Sequence, residues 1–82
     1  MEQQTQFLTT IDKIWRNYDK NQREYLVVKT DKEDSRAKDG KVALFLFDQQ
    51  EKWDELIEGQ KYNFEAVKSN SGNWKIKEWT KL

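Results

Sequence analysis

The chain has 82 residues, with 15 lysines and arginines against 15 aspartates and glutamates, and it has no histidine, cysteine or proline. That inventory removes disulfide scaffolds, thiol nucleophiles, zinc knuckles and histidine-based acid–base or metal chemistry, and a net charge of zero argues against a uniformly basic nucleic-acid binder. It retains 4 Trp, 4 Phe and 3 Tyr, more aromatic surface than a disordered chain carries, although charged residues make up 37% of the whole.

Phe7 to Trp15 mixes β-branched and aromatic residues with polar ones and predicts a first strand, with a bulge near Asp12 where the alternation slips. Asn17 to Arg23 is polar and turn-prone. Tyr25 to Thr30 predicts a second strand. Asp31 to Gly40 is a charged loop ending in the turn signal Asp39-Gly40. Val42 to Phe47, the most apolar run, predicts a third strand. The period then changes: Trp53, Leu56 and Ile57 stand at i, i+3 and i+4 within Gln49 to Glu58, one face of a short helix. Asp48 is its expected N-cap and Gly59 its stop. Lys61 to Val67 alternates as a fourth strand. Ser69 to Asn73 is a turn, and Trp74 to Trp79 alternates as a fifth strand.

The size predicts a single domain over residues 1–82, with order at residues 1–6 left open. No apolar run is long enough to cross a membrane as a helix. Met1 to Thr5 has neither the basic nor the apolar region of a signal peptide, so the expected location is cytoplasmic.

Three strands, a short helix and two strands make an all-β layout: a five-stranded, OB-fold-like Greek-key barrel with one short helix between strands 3 and 4. The stretch Val42 to Phe47, the helix, and then Leu56-Ile57-Glu58-Gly59-Gln60-Lys61-Tyr62 resembles the middle of single-stranded DNA-binding OB domains. These commonly run an apolar third strand ending in an aromatic, a short helix, and a Glu-Gly before strand 4. The resemblance spans roughly residues 7–82 and is one of architecture. It implies single-stranded nucleic-acid binding, DNA favoured, on the outer face of strands 2 and 3 and their flanking loops. It also implies a replication or recombination protein as a partner.

Strand parity divides the aromatics into core and face. Leu26, Val28, Val42, Leu44 and Leu46 suit the barrel interior, which leaves Tyr25, Lys29, Phe45 and Phe47 outside. The reverse register of strand 3 would bury Phe45 and Phe47 instead. Trp53, Leu56 and Ile57 are expected to close one barrel end, and Tyr62, Phe64, Ala66 and Ile76 to point inward. The first flanking loop offers Trp15, Arg16, Tyr18, Lys20 and Arg23, and the second offers Lys68, Asn70 and Trp74, with Lys75 and Lys77 beyond. Aromatic rings there would stack on bases and cations would meet phosphates.

Zero net charge hides an asymmetry. Asp48 to Glu58 carries five carboxylates against Lys52, a net of minus four, so the remainder is plus four. That acidic helix is either a docking face for a partner or a device for solubility. Asp31, Glu33, Asp34 and Asp39 share a loop, but Lys32, Arg36, Lys38 and Lys41 interleave with them, so a metal site is not expected there. No cofactor and no catalytic activity are expected. The competing reading is a small β-barrel that docks proteins and binds no nucleic acid.

Overall fold

The computed structural model describes residues 3–33, 40–70 and 72–82, Gln3 by its backbone alone. Most of the expected charged loop, including Asp34, Ser35, Arg36, Lys38 and Asp39, therefore lies outside the described residues, as do Met1, Glu2 and the turn residue Ser71. Five strands form a closed barrel in the order β1-β2-β3-β5-β4. They are β1 (Gln3–Tyr18), β2 (Glu24–Glu33), β3 (Lys41–Leu46), β4 (Lys61–Lys68) and β5 (Trp74–Lys81). All pairings are antiparallel except the short β3–β5 contact, where Leu44 faces Trp74 and Phe45 faces Lys75. The all-β class, the five strands and the short helix between the third and fourth are those read from the sequence. β1 starts earlier than Phe7, because Gln3 to Gln6 extend the ladder opposite Lys68 to Glu65.

The bulge in β1 falls where the alternation predicts it. Ile11 pairs with Thr30 and Lys13 with Lys29, leaving Asp12 over. The slip changes which parity faces the core. Phe7, Thr9 and Ile11 are buried before it, whereas Ile14 packs against the core after it. Trp15 is thereby turned onto the outer ladder row with Val27 and Phe45.

The interior is built from the alternating inward positions. Leu26 and Val28 of β2, Val42, Leu44 and Leu46 of β3, Tyr62, Phe64 and Ala66 of β4, and Ile76 of β5 join Phe7 and Ile11 in one buried cluster. The two buried threonines are each satisfied: Thr30 donates to the Val42 carbonyl at 2.9 Å, and Thr9 donates to Asp31 Oδ1 at 2.7 Å.

The segment after β3 differs from the predicted helix. It is a 3-10 helix over Gln50–Glu55, and Gln49 rather than Asp48 occupies its N-cap, at φ 60° and without a side-chain cap hydrogen bond. Asp48 contributes its backbone carbonyl, which accepts the Trp53 indole N–H at 2.8 Å. The helix ends at Glu55, and Leu56 is already extended at φ −87° and ψ 121°. Trp53 and Leu56 face the core together, and Ile57, past the helix end, turns away, 54% exposed instead of buried. The chain beyond Leu56 is held by tertiary bonds rather than a helical ladder. The Ile57 amide donates to the Tyr62 hydroxyl, and the Gly59 amide to the Ile11 carbonyl at 2.8 Å. Gly59 has φ +87°, a conformation that favours glycine.

Candidate binding groove on the outer sheet face

The outward rows of β1, β2, β3 and β5 line up across the barrel wall. Trp15 pairs with Val27, Val27 with Phe45, and Phe45 with Lys75. Lys13, Lys29 and Ala43 make the row below. Val27 is buried even though it points outward, and it forms a floor between the flanking aromatics. Tyr25, Phe45 and Phe47 are half-buried. The register of β3 thus places both phenylalanines on the outer face and the aliphatics inside.

These three rings pack on one another. Tyr25 and Phe47 stack at 4.9 Å between centroids, and Tyr25 and Phe45 lie tilted at 6.1 Å. Arg23 and Lys75 each hold a cation 5.1 Å from the centre of the Phe47 ring. The cluster lines an open groove of about 250 Å³ whose remaining walls are Asp19, Ser69, Asn73 and Lys75. Both loops that border it are internally braced. Asp19 Oδ1 accepts the amides of Asn21 and Arg23 at 2.9 and 2.8 Å, the Asx pattern that fixes a turn. Across the groove, the Ser69 amide donates to the Asn73 carbonyl and the Gly72 amide to the Ser69 carbonyl. Rings and loops are therefore set in place by the fold.

The groove contains Tyr25, Phe45, Phe47, Arg23 and Lys75 from the sequence-derived set. Lys20 is exposed in the bordering loop, Lys29 and Trp15 lie on the same outer wall, and Lys77 is exposed at the β5 bulge beyond Lys75. Four residues stand elsewhere: Trp74, with Lys68 beside it, and Arg16 and Tyr18. Trp74 has inward parity and packs edge-on against Phe7 at 5.1 Å, as part of the core margin, with Lys68 Nζ 5.6 Å from its ring centre. Arg16 and Tyr18 also fall on the inward parity of β1 after the bulge. The Arg16 guanidinium sits 3.6 Å from Glu24 and over the Trp53 ring, and the Tyr18 hydroxyl donates to Glu24 at 3.1 Å. Asp19, Ser69 and Asn73 were visible in the sequence only as turn formers, because nothing in turn chemistry says which side chains border a cleft.

Among the described residues, no three acidic side chains converge on a point that would hold a metal ion. No protein-family model, curated protein or solved structure matches the chain.

Proposed function

We propose that this barrel binds single-stranded DNA, or RNA, with little sequence specificity, in the groove over Tyr25, Phe45 and Phe47. The observation that supports this most is the packed aromatic cluster with two cations at its surface, bordered by loops on both sides. A base stacked on an aromatic ring contributes about 1–3 kcal/mol, whereas an exposed cation over a ring contributes about 0.5–1 kcal/mol. A base therefore displaces Arg23 or Lys75 from the Phe47 face, and the freed cation meets the adjoining phosphate. Lys20 and Lys29 extend the basic border, and Trp15 supplies a further ring along the same row. One such domain engages a short strand, so a second copy or a tether to a replication or recombination protein would raise its avidity.

The test is fluorescence anisotropy of a labelled oligo-dT of about 16 nucleotides, the upper end of the span of one such barrel. Binding at low salt that weakens as salt rises, and that is lost in Tyr25→Ala/Phe45→Ala, is the expected result. No binding at low salt would leave the groove to the competing reading, a surface that docks protein.

A further inference from the structure

We infer that a second groove, between β1 and the 3-10 helix, docks a basic peptide segment that inserts an apolar side chain. The inference does not depend on the nucleic-acid reading. The groove has a volume of about 420 Å³. Its floor is the side of the barrel core: Leu26, Trp53 and Leu56, which are nearly inaccessible, with half-buried Ile14 beside them. Its rim carries Asp54 and Glu58 together with Trp15 and Arg16, and Glu58 accepts the Ile14 amide at 2.8 Å, which leaves Asp54 as the carboxylate most open to a ligand. An apolar floor under an acidic rim selects a ligand that is apolar at one point and cationic around it.

The rim belongs to the segment Asp48 to Glu58, whose net charge of minus four is the largest local excess in the chain. That field attracts a cationic segment and repels the phosphates of a nucleic acid, so the two grooves call for ligands of opposite charge. One cation already occupies the second groove. Arg16 lies with its guanidinium 5.8 Å from the Trp53 ring centre, its side chain 57% exposed and 3.6 Å from Glu24. It marks the place where a partner side chain would seat over Trp53.

The experiment uses the full chain and a fluorescein-labelled peptide of alternating lysine and leucine, with a glutamate-for-lysine peptide as control. The lysine peptide binds, the glutamate peptide does not, and Asp54→Lys weakens binding about tenfold by placing like charges together at the rim. Glu51→Lys makes the same change in net charge outside the groove and weakens binding by no more than about twofold. Phe47→Ala leaves peptide binding unchanged. Equal losses in Asp54→Lys and Glu51→Lys would reduce the effect to bulk charge and overturn the proposal, and so would a loss in Phe47→Ala, which places the peptide in the aromatic groove. Self-association of the chain that Asp54→Lys abolishes would overturn it in favour of a second copy as the occupant.

Discussion

Tyr25 of β2 and Phe47, one residue past the end of β3, stack with centroids 4.9 Å apart and planes 25° from parallel. Each ring covers one face of the other, and both line the groove without being lost to the core. Phe47→Ala and Phe47→Leu separate the two roles. Leucine keeps apolar bulk against Tyr25 but has no π-face. If bases stack on this pair, both variants lose oligo-dT affinity by about fivefold to a hundredfold, the range that one stacked base contributes. Leucine rescue of binding, measured by anisotropy, would show that packing rather than stacking matters.

Arg23 and Lys75 approach the Phe47 ring from the two sides of the groove, while Arg16 is turned away toward Glu24 and Trp53. The three cations were indistinguishable in sequence. Each phosphate contact to a single strand contributes about 0.7 to the slope of log affinity against log salt concentration. Arg23→Gln and Lys75→Gln are each expected to flatten that slope by about this amount, and Arg16→Gln to leave it unchanged. A flatter slope in Arg16→Gln would place the phosphate path along the wrong wall of the barrel.

The two periods in the chain made most of the fold legible in the sequence. Alternation in Tyr25–Thr30, Val42–Phe47 and Tyr62–Ala66 separates inward from outward positions with no knowledge of the pairing, because side chains in a strand alternate whatever the strand is next to. The slip at Asp12 was readable for the same reason. Three features were not. Ile57 looked buried because i+3 and i+4 share a face on an α-helix, but the helix ends at Glu55 and the chain is already extended at Leu56, so Ile57 is no longer on that face. The 3-10 segment ends on bonds to the Tyr62 hydroxyl, and the chain after it is tied to Ile11, neither of which local spacing reports. Trp74 looked like a groove residue because it follows the groove loop, but its parity is that of Ile76, and Phe7, 67 positions earlier in the chain, supplies its partner ring.

Tyr62 is buried, and its hydroxyl joins the two backbone groups that end the 3-10 segment. It donates to the Glu55 carbonyl at 2.6 Å and accepts the Ile57 amide at 3.1 Å. Tyr62→Phe preserves the ring and its packing against Phe64 but leaves both backbone groups without that partner. The expected loss is about 1–3 kcal/mol of unfolding free energy, read as a lower urea midpoint at unchanged m-value. The segment carries the acidic rim, so the same variant is expected to weaken peptide binding more than oligo-dT binding. An unaltered urea midpoint would mean that water replaces the hydroxyl at no cost.

Asp31 ties the end of β2 to β1. Its carboxyl is held below the ordinary value of 3.8, first by the Thr9 hydroxyl, then by the Thr10 amide, with Lys41 adding a smaller attraction against the cost of desolvation. Both hydrogen bonds go to Oδ1, at 2.7 and 3.2 Å, and both favour the ionised form. A depressed folded pKa means that the unfolded chain takes up the proton more readily. The stabilisation is therefore complete above the unfolded value and is lost as pH falls through the lower, folded one. Asp31→Asn keeps an oxygen that accepts from Thr9 but has no proton equilibrium. At neutral pH the variant is expected to be the less stable of the two. The gap between the urea midpoints of the two proteins should hold steady down to about pH 4 and narrow below it, as the native carboxyl becomes protonated. A gap that stays constant across that acidic range would show that the ionised carboxylate is not what holds the two strands together at this point.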